Sequence, residues 1–480
     1  MKKLFICLVL LFGVVGFSSC GGEYVMYDNF APEMEELYNS EEYIDFIENP
    51  FIDASVTPKS VFSLDSSTYS YSNLRRLIQN GENVPSNAVN IEHMLNYFNY
   101  SYTNDTNEAL SSTLELAVCP WNEEHYVASV AVKAKDFDLS DTKNNFVFLV
   151  DVSGSMDYDN KLSLFQESFK ILMDQLGEND TISIVTYASG VRTIIDGVNG
   201  DNKKEIVGSV TNLTAGGSTN GSGGIQRAYQ LAEKHFISDG NNRVFIATDG
   251  DFNVGISSTN ELEEYISSKR DRGIYLSIFG FGVGNTKHNK METLALHGDG
   301  NAYYIDSLLE AKKVFVNELG GTLNTVAKDS KAMVEFNPSA VKKYRLLGYE
   351  NKLLSEEDFE NEDTDAGEIG AGHTTIAMYE IIPNEKFSTS DFVFKSILRY
   401  KDAQTFENKE VINSINKLIT SSNLEFATCV VEFALVLRNS QYKADASYDN
   451  LISRINEIDL DGDYFKEEFK QLVLMASGRW

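Results

Sequence analysis

Three oxygen-bearing side chains follow directly after an apolar segment of the chain. Residues 146–150 are Phe, Val, Phe, Leu and Val, and Asp151, Ser153 and Ser155 come immediately after them. Five consecutive apolar residues predict a strand buried on both faces of a parallel sheet. Open α/β sheets bind their ligands beyond the carboxyl ends of such strands. One carboxylate and two hydroxyls suit Mg²⁺ better than Zn²⁺, so the segment predicts a cation site at the end of a strand.

Two later segments carry side chains of the same chemistry. Residues 213–220 form a glycine-rich stretch that contains Thr219, and residues 243–248 form a second apolar strand that Asp249 follows. Each segment alone also fits an ordinary turn or helix N-cap, because Ser, Thr and Asp are common at both. Their occurrence together, in this order and among alternating strand and helix patterns, favours the metal site.

Together these motifs resemble a von Willebrand factor type A domain with its metal-ion-dependent adhesion site. The resemblance implies that Ser153, Ser155 and Thr219 contact one divalent cation, while Asp151 and Asp249 act directly or through water. The implied cation is Mg²⁺, with Mn²⁺ or Ca²⁺ as alternatives. The resemblance also implies a protein partner, and a carboxylate of that partner can complete the coordination of the ion.

The pattern of residues 145–323 predicts the fold that would position this site. Strand-like runs lie at 181–187, 191–195, 244–247 and 275–282, and helix-like segments such as 162–176 and 261–272 lie between them. Strands that alternate with helices predict right-handed βαβ units. We therefore expect an α/β fold with a doubly wound, mostly parallel sheet and helices on both faces.

The regions on either side of this domain have a different pattern. Residues 43–144 contain a strand-like run at 114–118 and a second at 126–133, which alternates like a half-buried antiparallel strand. Residues 324–480 contain strand-like runs at 332–336, 344–349, 374–382 and 392–400, followed by helix-like segments at 411–419, 424–437, 451–458 and 464–475. We expect the type A domain to be inserted in one flanking α+β unit, with antiparallel strands and C-terminal helices.

The flanking regions carry a second resemblance. Segments 60–65, 90–98 and 119–122 resemble the N-terminal region of bacterial exported type A proteins of unassigned function, and segments 347–351 and 365–381 resemble the C-terminal module of the same group. Because the function of that group is not assigned, the resemblance implies an architecture rather than an activity.

The first residues have the composition of an export signal. Lys2 and Lys3 precede the apolar stretch 4–17, and small residues then lead to Cys20. This end resembles a bacterial lipoprotein lipobox, although Phe17 stands where the commonest pattern has Leu. The resemblance implies a signal peptide at 1–19, a lipid on Cys20, a tether over 20–42 and an exported protein anchored in the cell envelope, at the outer membrane. A plain signal peptide is the alternative, and no later segment reaches the roughly 18 apolar residues of a membrane span.

Charge and cysteine content narrow the functional classes. The chain has 71 acidic and 41 basic residues and a formal charge of −30, which disfavours binding to nucleic acid or to anionic membrane surfaces. Once Cys7 leaves with the signal and Cys20 is modified, Cys119 and Cys429 remain. Their apolar surroundings fit two buried thiols at least as well as one disulfide, and the sequence leaves that choice open.

Motifs of common enzyme classes are missing from the sequence. Residues 280–287 lack the pattern of a phosphate loop, and the chain has no G-x-S-x-G nucleophile elbow. His373 is interpreted as a turn or packing residue rather than a catalytic base. We therefore predict a non-enzymatic, lipid-anchored binding protein. The alternative is a structural or assembly factor of the envelope, in which the metal only stabilises the loops.

Overall fold

The computed structural model of the protein describes residues 43, 45–104, 106–136, 142–218, 223–250, 259–282, 288–385, 387 and 390–478. The predicted signal peptide, Cys20 and the predicted tether lie outside these residues. The first part of the described chain contains strands β1 and β2, helices α1 and α2, and strands β3 and β4. Their bounds in this order are Ile52–Asp53, Lys59–Ser63, Tyr69–Gln79, Ile91–Asn96, Leu110–Val118 and Tyr126–Ala134.

The central part alternates strands and helices. Strands β5 to β10 are Asn144–Asp151, Asp180–Tyr187, Val191–Asn199, Asn241–Thr248, Ile274–Phe281 and Ala302–Ile305. Helices α3 to α9 are Leu164–Gln175, Lys203–Thr211, Gly224–Lys234, Thr259–Arg270, His288–His297, Leu308–Lys312 and Leu319–Leu323. The strands form one sheet in the order β10-β9-β8-β5-β6-β7, in which β7 is antiparallel to β6 and the other pairs are parallel.

Strand β5 explains why helices cover both faces of this sheet. Phe148 packs against Phe169 of α3 on one face, with ring centroids 5.0 Å apart. On the other face, Leu149 belongs to a cluster with Ile225 and Ala228 of α5. A strand with apolar side chains on both faces needs a helix on each side to exclude water. The predicted doubly wound, mostly parallel sheet is confirmed.

The last part of the chain contains strands first and long helices afterwards. Strands β11 and β12, helix α10 and strands β13 to β16 are Thr325–Phe336, Val341–Leu347, Glu356–Glu360, Gly367–Gly370, Thr374–Pro383, Phe394–Asp402 and Asn408–Ile415. Helices α11 to α13 are Ser422–Leu437, Tyr448–Glu457 and Tyr464–Ala476.

Strands from before and after the central domain pair with each other. One antiparallel sheet has the order β1-β12-β14-β4-β3, in which β4 from the first part lies beside β14 from the last. A second sheet has the order β13-β11-β15-β16, and β2 from the first part also pairs with β11. The central domain is therefore inserted in a flanking α+β unit, as the predicted fold class has it.

The sheet that contains β4 is covered on both faces. Val127 and Ala131 pack with residues of α2 and α11, while Ala128 and Val130 pack with residues of the second antiparallel sheet. The prediction of a half-buried strand at 126–133 is therefore wrong, since Ser129 is also fully buried. The sequence alternation is real, but helices cover the face that was expected to meet water.

The helix predicted at 411–419 is also wrong. Residues 408–415 form strand β16, which pairs along its length with β15, and Leu398 lies opposite Val411. Ile419 forms an isolated antiparallel bridge with Leu116 of β3, so the helix begins only at Ser422. Pairing with distant strands outweighs the local helical spacing of the apolar residues.

Buried ion pairs join the central domain to the flanking unit. Arg75 of α1 bonds Asp306 at 2.5 Å, Glu310 at 2.8 Å and Glu468 at 3.1 Å, and its side chain is only 2% exposed. A second contact pairs Lys328 with Asp299 at 2.7 Å. Among the helices that the structure describes, none is both long and apolar enough to cross a membrane.

Candidate metal site

The carboxyl ends of β5 and β8 bring two of the predicted site residues to one edge of the sheet. Asp151 is the last residue of β5, and Val150 lies opposite Ala247 of β8. Asp249 follows the last residue of β8 by one position. Both aspartates are at most 1% exposed, so two carboxylates are buried at this edge.

The turn after β5 adds two hydroxyls. The backbone N–H of Ser153 donates to Oδ1 of Asp151 at 2.8 Å, which fixes the start of the turn. The hydroxyl oxygens of Ser153 and Ser155 are 3.0 Å apart. A short 3₁₀ turn at Gly154–Met156 carries the second serine, so both hydroxyls belong to one compact turn.

The second carboxylate oxygen of Asp151 is chemically suited to bind a cation. Oδ2 of Asp151 is buried and receives no well-formed hydrogen bond from the described residues, although the side chains of Ser153 and Tyr187 lie close to this carboxyl group. Burial raises the pKa of Asp151 to about 6, and the nearby charge of Asp249 contributes to the same effect. A buried acceptor without a donor is unfavourable, and a cation held by this oxygen would relieve that cost. The donor set therefore fits a hard divalent ion.

The loop that leads to Thr219 approaches this turn. The N–H of Gly216 donates to the carbonyl of Val152 at 2.9 Å, and the N–H of Gly154 donates to the carbonyl of Gly217 at 3.0 Å. Gly217 has φ +85°, and a Cβ there would lie 2.4 Å from the hydroxyl of Ser189. Thr219 itself lies outside the described residues, so its role as a ligand stays a prediction.

The described residues contain no group of three or more His, Cys, Asp or Glu side chains that could hold a metal ion. A cation at the end of β5 would therefore depend on hydroxyls as well as carboxylates. Asp151, Ser153 and Ser155 are brought together, and Asp249 lies at the same edge. Their assignment as ligands stays a prediction.

Two further residues at this edge were not predicted from the sequence. The ammonium group of Lys161 donates to Oδ2 of Asp249 at 2.8 Å. Tyr187, the last residue of β6, lies opposite Asp151 in the sheet register, and burial together with the charge of Asp151 raises the pKa of its phenol. Neither residue has a spacing signal in the sequence, because both reach the site through the fold.

The other residues considered in the sequence are not part of this edge. His373 directly precedes β14, and burial lowers the pKa of its imidazole to about 3, so the ring is neutral. Cys119 and Cys429 are buried free thiols, and burial raises the pKa of both. The structure therefore resolves the open cysteine question in favour of two separate thiols.

Models of three protein families match successive parts of the chain. The model described as von Willebrand factor type A domain matches residues 145–317. A model described as von Willebrand factor matches residues 37–129, and one described as Uncharacterized protein YfbK, C-terminal, matches residues 321–478. The first match covers the chain from the second residue of β5 to beyond β10 and therefore includes the candidate metal site.

The chain is also similar to individual proteins. It is 36% identical over 465 residues to Uncharacterized protein YfbK of Escherichia coli (strain K12), and the alignment covers 91% of this chain and 81% of that protein. It is 30% identical over 173 residues to inter-alpha-trypsin inhibitor heavy chain H3 of Mus musculus, covering 34% of this chain and 19% of that protein. A solved structure, von Willebrand factor type A from Catenulispora acidiphila, has 13% identity and a TM-score of 0.45 and covers 78% of this chain and 92% of its own.

Proposed function

Because this chain belongs to the family of von Willebrand factor type A domain proteins that includes YfbK, we propose that it is a binding protein of the cell envelope. In this proposal the type A domain binds a protein partner through a divalent cation, and a lipid on Cys20 anchors the chain to the membrane. Type A domains commonly mediate protein–protein interactions. The proposed role is non-enzymatic and involves no nucleic acid.

One observation carries the proposal. Oδ2 of Asp151 is a buried acceptor that receives no well-formed hydrogen bond from the described residues, and the paired hydroxyls of Ser153 and Ser155 lie in the turn that follows it. The proposed ligands are these three residues with Thr219 and Asp249, and the proposed ion is Mg²⁺, with Mn²⁺ or Ca²⁺ as alternatives. A bound cation would supply an electrophilic contact for a carboxylate oxygen of the partner.

Calorimetric titration tests the metal site directly. We expect Mg²⁺, Mn²⁺ or Ca²⁺ to bind saturably at one site of chelator-treated residues 21–480, which include every described residue. The double variant D151A/S153A should lose this binding because it removes a carboxylate and a hydroxyl. D239A, which removes a carboxylate from an exposed turn of the same domain, should bind like the unaltered protein. Equal binding by the double variant and the unaltered protein, or no binding by either, would contradict the proposal.

A second candidate function is a structural or assembly factor of the envelope. It is favoured by the buried ion pairs of Arg75, which join the type A domain to the flanking unit and suit a rigid component of an assembly. In that case the cation only stabilises the loops, and the flanking unit makes the partner contacts. D151A would then lower the metal-dependent increase in Tm without changing partner binding. In the first proposal D151A abolishes metal-dependent partner binding.

The membrane anchor needs a separate test in the producing cell. We expect the full chain to incorporate labelled palmitate and to fractionate with the outer membrane. C20A should incorporate none and should fractionate with the soluble exported proteins, whereas C119A should behave like the unaltered protein. Membrane association of C20A would show that the anchor lies elsewhere.

A further inference from the structure

The side chain of Lys161 reaches into the candidate metal site from the segment before α3. Lys161 belongs to the π-helical segment Asp159–Ser163, which follows the turn at Gly154–Met156 closely in the chain. Its ammonium group donates to Oδ2 of Asp249 at 2.8 Å, and the two side chains are 5% and 0% exposed. The contact is therefore a buried ion pair rather than a surface contact of a long, mobile lysine.

The backbone at Gly282 leaves space for the aliphatic part of this lysine side chain. Gly282, directly after β9, has φ +85°, and a Cβ on it would lie 2.3 Å from Cγ and 2.5 Å from Cε of Lys161. The absence of a side chain at Gly282 thus leaves the path along which the stem runs. Nζ of Lys161 also lies 5.3 Å from the ring centroid of Tyr158. The lysine therefore spans from the end of β9 to the aspartate that follows β8.

The charge of Lys161 has two opposing consequences at this edge. In the absence of a divalent ion, one ammonium group partly neutralises the two buried carboxylates of Asp151 and Asp249, which otherwise repel each other. When a divalent ion is present, the same ammonium group repels it, because both are positive and water is largely excluded. While Lys161 stays paired with Asp249, the carboxylate of Asp249 attracts the ion less strongly.

We propose that Lys161 is the internal counter-ion of the metal site. It pairs with Asp249 when no divalent ion is bound, keeps the strand ends together in that state, and opposes the ion, so that it sets the cation concentration at which the site fills. This inference rests on the proposed function for the identity of the metal site. The pairing of Lys161 with Asp249 does not depend on it.

Metal titration tests whether the charge of Lys161 opposes cation binding. We expect K161M, which keeps the length and apolar stem of the side chain, to bind Mg²⁺ and Mn²⁺ about tenfold more tightly than the unaltered chain, because one opposing charge is removed. K161R keeps the charge and should stay close to the unaltered affinity. K170M is the matched control, since Lys170 forms an exposed pair with Glu167 at 2.5 Å and lies outside the site. It should leave the affinity unchanged.

Thermal unfolding in chelator tests the pairing without any metal. K161M should lower Tm by several degrees, because it leaves Asp249 buried without its cation. In the double variant K161M/D249N, the loss should be smaller than the sum of the two single losses, since the charge that Lys161 neutralises is gone. Additive losses would overturn the inference, whatever the metal titration gives.

The two experiments separate the inference from the proposed function. If the unaltered protein binds the ion and K161M binds it no more tightly, the inference is overturned and the metal site stands. If K161M binds the ion and the unaltered protein does not, the inference is supported in its strongest form. If neither protein binds the ion, the effect of Lys161 on cation binding and the metal-dependent function are both overturned. In that case, non-additive losses of Tm in chelator would still identify Lys161 as the counter-ion of Asp249.

Discussion

His93 shows how acidic side chains can hold a buried imidazole in its charged form. Its Nε2 lies 3.5 Å from Oδ2 of Asp65 and 3.5 Å from Oε1 of Glu292, and the histidine side chain is 1% exposed. Burial alone would lower the pKa of His93, but the charges of Glu292 and Asp65 outweigh burial and raise the pKa to about 9. At neutral pH the imidazolium therefore joins α2 to two other places, the loop before α1 and helix α7 of the central domain.

This pair of contacts predicts a loss of stability in mild alkali. The folded-state pKa of His93 lies above the unfolded value of 6.5, so the stabilisation is fully present below pH 6.5 and is lost as pH rises through 9. The loss should be on the order of 3 kcal/mol by linkage. Urea unfolding at pH 6, 8 and 10 measures it. H93Q removes the titrating group and should show a flatter pH dependence than the unaltered protein, and equal slopes for the two proteins would contradict the prediction.

The candidate site shows what single residues in a sequence can and cannot reveal. Asp151, Ser153 and Ser155 are adjacent in the chain, so their convergence follows from one strand and one turn, and the sequence predicts it. Lys161 was not predicted, because its contact with Asp249 depends on the course of residues 159–163 and on the space at Gly282. Neither condition has a local pattern.

At the scale of elements, the capping of α11 makes a testable contribution to stability. Ser421 is the N-cap of this helix, and its hydroxyl accepts a hydrogen bond from the N–H of Leu424 at 3.3 Å. We expect S421A to lower the free energy of unfolding by about 1 kcal/mol, because one N–H of the first turn loses its partner. S421N keeps a side-chain acceptor and serves as the control. Denaturant unfolding that gives the same loss for both variants would show that capping is not the cause.

The correctly predicted strands are determined by local sequence, whereas the wrongly predicted segment is determined by pairing with a distant strand. Strands β5, β8 and β9 each contain an apolar segment, so their burial on both faces is visible in the chain itself. Residues 411–419 have apolar side chains at helical spacing, yet 408–415 form a strand because β15 offers a hydrogen-bonding edge along its whole length. An edge supplied by a distant part of the chain cannot be inferred from local periodicity.

At the scale of the whole molecule, Arg75 connects three regions that are distant in sequence. It lies on α1 before the inserted domain, Asp306 and Glu310 follow the last strand of that domain, and Glu468 belongs to the C-terminal helix α13. Its Nη1 also donates to the hydroxyl of Tyr97 at 2.7 Å. The planar guanidinium can serve several acceptors in one plane, which an ammonium group cannot do.

Removal of this guanidinium should destabilise the whole protein. R75M leaves three carboxylates without their shared cation in a buried position, so we expect the free energy of unfolding to fall by about 3–5 kcal/mol. R75K keeps the charge but loses the fork geometry and should lie between R75M and the unaltered protein. R227M, at a partly exposed arginine of α5, should change stability by less than about 0.5 kcal/mol. Urea unfolding followed by far-UV circular dichroism and by the fluorescence of buried Trp121 measures all four proteins. A loss for R75M no larger than that for R227M would show that Arg75 does not join the inserted domain to the flanking unit energetically.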